Sequence, residues 1–232
     1  MTALSTRIRL TVLLALLIVI PAFGVAAQEP ELRFGLPMQG DAGPSTWFVT
    51  QWYGNTVSAA RNADDLYSVG QGIHFGVDFA APCGTSVVAI GDGSVFAIDG
   101  PYGSPPHNLV IEHADGLFSL YGHLEVRPAL QTGQSISRGA VVGQVGDPAG
   151  ASCDRAPHLH LEMRRDGMRE AVNPVSLIDA DWRRLTVGAS ITGGGFAVDL
   201  ENPDRWQRID DQPSIRFQGP RLNDYDSPWL VR

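Results

Sequence analysis

The stretch Ala156 to Met163, "APHLHLEM", alternates leucine with polar residues in a strict period of two. In an extended strand that period sends Leu159, Leu161 and Met163 to one face and His158, His160 and Glu162 to the other. A core on the leucine side would leave two histidines and a carboxylate on an exposed or cleft-facing side. Taken alone, such a pair is either polar surface alternation or half of a metal site.

Two further runs behave alike. In "GIHFGVDFAAPCG", Gly72 to Gly84, a strand would set His74, Gly76 and Asp78 opposite Phe75, Val77 and Phe79. In "SLYGHLEV" it would set Tyr121, His123 and Glu125 together, opposite Leu120, Gly122, Leu124 and Val126. Four of the chain's 6 histidines thus fall on polar strand faces. Zinc favours imidazole nitrogen and carboxylate oxygen, and three protein ligands with one open position is the pattern of a catalytic rather than a structural ion. A purely structural metal protein would close the fourth position, and no fourth ligand is comparably placed. The chain contains no HExxH, so the helical motif that uses glutamate as base is not available to it.

The cysteines carry an independent register argument. Antiparallel partners keep a nearly constant sum of residue numbers, and Asp78 with His160 gives almost the same sum as Cys83 with Cys153. A pairing that joins the ligands therefore brings the cysteines within disulfide reach, and we expect a Cys83–Cys153 bridge at the strand end beside the site.

Across 232 residues, 26 glycines and 16 prolines break short alternating runs, which predicts a mostly β domain. We expect a compact antiparallel β-sheet or β-sandwich-like domain with little helix; only "SAARNADDLYS" has helical character. "HADG", His113 to Gly116, reads as a hairpin turn, with His113 in a structural role. Tyr121 lines the cleft or packs by its ring, and Glu162 either orients a ligand or stands on the surface.

Residues 1–27 have the layout of a secretory signal peptide: Arg7 and Arg9, an apolar run from Leu10 to about Phe23, then small residues from Val25 to Ala27. That run is shorter than the ~20 residues of a membrane span and contains Pro21. Cleavage after Ala27 would remove two arginines and no acid, moving the formal net charge from −8 to −10. Every basic residue is arginine, and this acidity argues against nucleic acid or anionic membranes as partners. We expect a lead-in over 28–46, the main β domain over 47–180 and an extension of unassigned role over 181–232.

The four segments "GIHFGVDFAAPCGTSVVA", "NLVIEHADGLFSLYGHL", "LQTGQSISRGAVVGQVG" and "APHLHLEMRRDG…VNP" together resemble the lysostaphin-like (LytM-type) zinc endopeptidases that cut peptidoglycan peptide bridges. The resemblance covers roughly Gly72 to Ile178, with HxxxD, YxHL and HxH in order. It implies that His74, Asp78 and His160 hold one zinc ion per chain and that His123 and His158 are catalytic. The implied substrate is the peptide of peptidoglycan, the implied place periplasmic, secreted or cell-wall associated. Some members of that family have lost ligands and serve as wall-binding or amidase-activating modules; all five residues are present here. A zinc peptidase acting on other peptides is the remaining alternative. The local departures are the two cysteines and the insertion-like "GPYGSPPHN".

Overall fold

Strand β9, His158–Arg165, is the longest among the described residues and the one on which the architecture hangs. It carries β2 (Val77–Ala80) and β10 (Glu170–Val172) along one edge and β6 (Phe118–Leu124) along the other. The computed structural model describes residues 34–150, 152–185, 195–226 and 228–229. The expected signal peptide, residues 28–33 of the lead-in and residues 186–194 of the extension lie outside them.

From β9 the antiparallel sheet continues through β6, β5 (His107–Glu112), β4 (Gly93–Ile98) and β7 (Ser135–Ile136). On the other side β2 is followed by β1 (Phe48–Gln51), and β10 is extended by β12 (Ile215–Arg216). A separate ribbon pairs β3 (Ser86–Val88) with β8 (Val141–Gln144). A two-stranded pair, β11 (Val198–Asp199) with β13 (Pro228–Trp229), completes the strands of the described residues. The α-helix α1 is a five-residue turn, Val57–Arg61, capped by the Thr56 side chain at the N–H of Ala59. The expected mostly β, helix-poor fold is the fold observed.

Directly opposed residues of antiparallel strands share a face. Val77 pairs with Leu161, Phe79 with Leu159, and Tyr121 with Leu161. That face, continued by Leu109 and Ile111, is closed by Val87 and Val142 of the ribbon into the main core. Each such large side chain contributes roughly 1.5–3 kcal/mol by leaving water. The opposite face carries Asp78, paired with His160, which is itself paired with Gly122. Glu162 and Arg164 follow on that face and are buried. There the sequence expectation of an open polar side is only half right, because the loop Gly100–Ser104 and the C-terminal segment lie over it.

The flanking segments are part of this packing. Phe34 and Met38 sit in the core, and Phe34 bridges to Ile178. Ile215 is fully buried, and Tyr53 donates its hydroxyl to the carbonyls of Ala171 and Pro213. Asn223 donates to the carbonyl of Gly72, at 2.7 Å, and to Asn55. The C-terminal segment thereby fastens the turn that leads into His74.

Candidate metal centre

Three atoms converge above β2 and β9. His74 Nε2 lies 3.3 Å from Asp78 Oδ1, and His160 Nδ1 lies 2.7 Å from the same oxygen. The two nitrogens are 3.2 Å apart. A tetrahedral zinc with ligands at about 2.0–2.1 Å would separate its donors by roughly 3.3 Å, so the triangle has the size a zinc site needs. All three residues are buried.

Each donor is aimed by a different device. His74 is not on a strand: β2 begins only at Val77, so the expected strand from Gly72 is shorter than its alternation implied. Its backbone is held instead by reciprocal hydrogen bonds with Gly54, N to O at 2.8 and 3.0 Å. His74 Nδ1 donates to the Trp52 carbonyl at 2.7 Å, which leaves Nε2 as the lone-pair nitrogen facing Asp78. Asp78 and His160 are set by the register of β2 and β9. His160 fits against the backbone because position 76 is glycine: a Cβ there would stand 2.6 Å from its Cε1.

The electrostatics ask for a cation. Burial lowers the pKa of His160, but Asp78 on one ring nitrogen and Glu162 on the other raise it to about 9. For Asp78, burial pushes upward, and the surrounding His74, His158 and His160 hold it well below the usual carboxylate range. Glu162 is spoken for by Arg164, through contacts of 2.6 and 2.9 Å, so the charge of Asp78 has no resident partner of fixed positive sign. His160 Nε2 is buried without a hydrogen bond, its nearest carboxylate being Glu162 Oε1 at 3.4 Å. Two imidazole nitrogens and a carboxylate oxygen around one point are the donor set of a divalent metal, which would take the place of the proton now shared by His160 and Asp78, and zinc fits it.

His123 and His158 stand beside this triangle. Their rings are 4.8 Å apart, and His123 is 5.8 Å from His160. His158 Nε2 is 3.8 Å from Asp78 Oδ1. Strict alternation would have placed His123 with Tyr121 on the core side. Its φ of 59° breaks the alternation, so Tyr121 and Leu124 both enter the core while His123 turns to the site. The expectation that Tyr121, His123 and Glu125 share a face is thus corrected. Tyr121 is fully buried, accepting from the N–H of Ile90, and Glu125 is exposed beside Gly84. His123 Nδ1 donates to the Pro105 carbonyl, and His158 Nδ1 donates to that of Ala156 at 2.7 Å. Both rings therefore turn Nε2 toward the site. Burial, followed by the neighbouring His160 and His158, lowers the pKa of His123 to about 4 against the pull of Pro105 and Asp78, so this ring is neutral at neutral pH.

Cys83 and Cys153 are disulfide-bonded, with Cα atoms 6.0 Å apart. The remaining histidines are elsewhere: His107 pairs with Asp99, and His113 is buried in its turn between the Asp92 carbonyl and Ser119. Sequence reasoning missed Arg164, although the period of two that marks His160 and Glu162 extends to it. It also missed Gly76 and Phe217; the latter packs against Phe75 and lies 4.1 Å from the Arg164 guanidinium. Contacts made by a remote C-terminal segment leave no local signal.

Two further histidines thus stand beside a His–Asp–His donor set on one β-sheet. Residues 72–174 match the model of Peptidase family M23. The DD-carboxypeptidase/endopeptidase Mpg of Neisseria meningitidis serogroup B is 39% identical over 105 residues, 45% of this chain and 23% of that protein. The peptidoglycan DD-endopeptidase ShyC of Vibrio cholerae is 33% identical over 108 residues, 46% of this chain and 24% of that protein. The chain spans under a quarter of the length of either relative. Among solved structures, the catalytic domain of the prophage-encoded M23 protein EnpA of Enterococcus faecalis is similar at 28% identity with a TM-score of 0.43, covering 60% of this chain and 95% of that one.

Proposed function

We propose that the protein is an exported zinc metalloendopeptidase that hydrolyses peptide bonds in peptidoglycan cross-links. The observation that carries this reading is the convergence of His74 Nε2, Asp78 Oδ1 and His160 Nδ1 on one point, with the Nε2 atoms of two further histidines alongside. The relatives' action on peptidoglycan supports the substrate class, and the arginine-led apolar start of the chain supports export. Residues 1–27 are the proposed signal peptide and 47–180 the proposed catalytic unit. The disulfide accords with an oxidising compartment.

His74, Asp78 and His160 would hold the ion. Zinc bound there supplies Lewis-acid polarisation of the scissile carbonyl and makes water available as a nucleophile near neutral pH. His158 Nε2 accepts the proton of the attacking water, and Asp78 at 3.8 Å attracts the imidazolium so formed. That imidazolium then returns the proton to the leaving amine. His123, neutral and pinned to Pro105, borders the reacting carbonyl and helps exclude water from one side. Five retained residues of the right types favour this reading over a catalytically silent module of the same fold.

The test is mass spectrometry of soluble products from purified peptidoglycan, with and without chelator. Cross-link fragments appear with metal, vanish on chelation and return with added zinc, while His160→Ala no longer retains zinc. Undiminished activity after exhaustive chelation would overturn the mechanism.

A further inference from the structure

A cleft of about 580 Å³ opens from Asp78 and His158 away from the loop that holds His123. Its floor is Phe48, Thr50, Gln51 and Ala80, its walls the segment Pro44–Thr46 and the loop around Arg155. Asp78 is the only carboxylate lining it, and Arg155 the only cation. In a chain of net charge −8, a lone guanidinium beside a proposed catalytic centre is a local feature with no counterpart in the overall field. Among the described residues the Arg155 side chain makes neither a hydrogen bond nor an ion pair, while its backbone is held firmly. Asp147 accepts from the N–H of Arg155 at 3.0 Å and of Ala156 at 3.1 Å. Two residues before Arg155, Cys153 is tied to Cys83, which follows Pro82 of the cleft lining.

An exposed arginine that merely decorates a surface needs no such anchoring. A recognition arginine does, because holding its base in place lowers the entropy lost on binding. The planar guanidinium matches a carboxylate through paired hydrogen bonds. Arg155 precedes His158 by three residues, so their Cα atoms are at most ~10 Å apart. An extended peptide advances ~3.3 Å per residue, and the arginine side chain reaches several more. We propose that Arg155 is a specificity-determining residue that binds a free carboxylate of the substrate peptide, one or two residues from the scissile amide. This rests on the peptidase reading above and narrows its substrate to peptides bearing an acid at that position. The acid is either a C-terminal α-carboxylate or a side-chain carboxylate within the peptide.

The experiment measures binding separately from cleavage. Four cross-link peptides with the scissile amide replaced by an uncleavable ketomethylene are titrated into the zinc-loaded full chain and followed by NMR. One pair differs in a C-terminal acid against its amide, the other in a side-chain acid against its amide. Amidation in one pair weakens binding to the wild-type protein about tenfold or more, and that pair identifies the source of the carboxylate. Arg155→Gln removes the acid preference while leaving affinity for the amide unchanged; Arg155→Lys restores part of it. Equal binding of acids and amides by the wild type, or an acid preference that survives Arg155→Gln, would overturn the assignment. Failure to cleave natural cross-links would count against the proposed activity alone, because binding of the uncleavable peptides is read independently.

Discussion

Gly76→Ala isolates the contact that seats His160. The glycine is not in the left-handed region, so alanine adds no backbone strain; its whole effect is one methyl group. That methyl would stand 2.6 Å from His160 Cε1, 2.8 Å from Nε2 and 2.7 Å from the Leu161 carbonyl oxygen. Carbon atoms rest at about 3.5–4.0 Å, so the ring or the β2–β9 pairing must yield by close to 1 Å. Neither partner is a loose side-chain end: one is the ring of a proposed ligand, the other is strand backbone. Overpacking of this kind costs roughly 1–3 kcal/mol. Displacing the ring also spoils the donor triangle, with a loss of zinc affinity of about 10- to 100-fold by analogy with the loss of groups that orient ligands. The assay is chelator-competition titration of zinc together with urea unfolding of the zinc-free protein. A variant with wild-type zinc affinity and wild-type stability would show that the ring does not depend on this close approach, and the packing argument for His160 would fail.

The remaining expectations concern the surroundings of that ring and the stability of the domain. Glu162→Ala leaves Arg164 buried without its carboxylate and should cost about 3–5 kcal/mol in urea unfolding, with weakened zinc binding; a loss under 1 kcal/mol would show that the pair is dispensable. Replacing Cys83 and Cys153 by serine opens a loop spanning 70 residues, for which chain entropy predicts a loss of about 4 kcal/mol by equilibrium unfolding; an unchanged midpoint would refute it. His113 has its pKa lowered, first by burial, against the raising effects of the Asp92 carbonyl and the carboxylates of Asp115 and Asp92. Since the unfolded state binds that proton more readily, its stabilising contribution is present above the ordinary histidine value near 6.5 and is lost as pH falls from there toward the folded pKa. Urea midpoints measured from pH 7 down to 5 should fall less steeply in His113→Gln than in the wild type, and parallel curves would remove His113 as the cause.

Much of the site could be read from the chain because it is built on a strand of period two. His158, His160 and Glu162 share a face as the alternation requires, and the Asp78–His160 pairing follows from the register that also joins Cys83 to Cys153. Alternation failed where the backbone leaves the extended region. His123 reaches the site through a positive φ that hydrophobic pattern does not encode, while Tyr121 keeps to the core face opposite Leu161 as the regular alternation of β6 requires. His74 was placed near its partner although it lies before the strand, since its position is set by Gly54 and Trp52 rather than by pleat. The burial of Glu162 and Arg164 was hidden for another reason. What lies near that face, Phe217 among it, comes from residues more than fifty positions away, where composition offered no signal.

The direction of the ring nitrogens shows the limit most sharply. Three histidines donate Nδ1 to backbone carbonyls, His74 to Trp52, His123 to Pro105 and His158 to Ala156, and so turn Nε2 to the site. His160 is reversed: Nδ1 faces Asp78, while Nε2 faces the Glu162–Arg164 pair. Within HxH, the two imidazoles therefore differ by their partners. One is backed by a carbonyl at the mouth of the cleft, which leaves a nitrogen free to carry protons. The other is backed by a buried carboxylate, which raises the basicity of its inward nitrogen and suits it to the proposed role of metal ligand. Exchanging those backing groups, rather than the histidines, is what would exchange their roles. No motif states which backing group a histidine will meet, because carbonyls are common to all residues and only the fold selects among them.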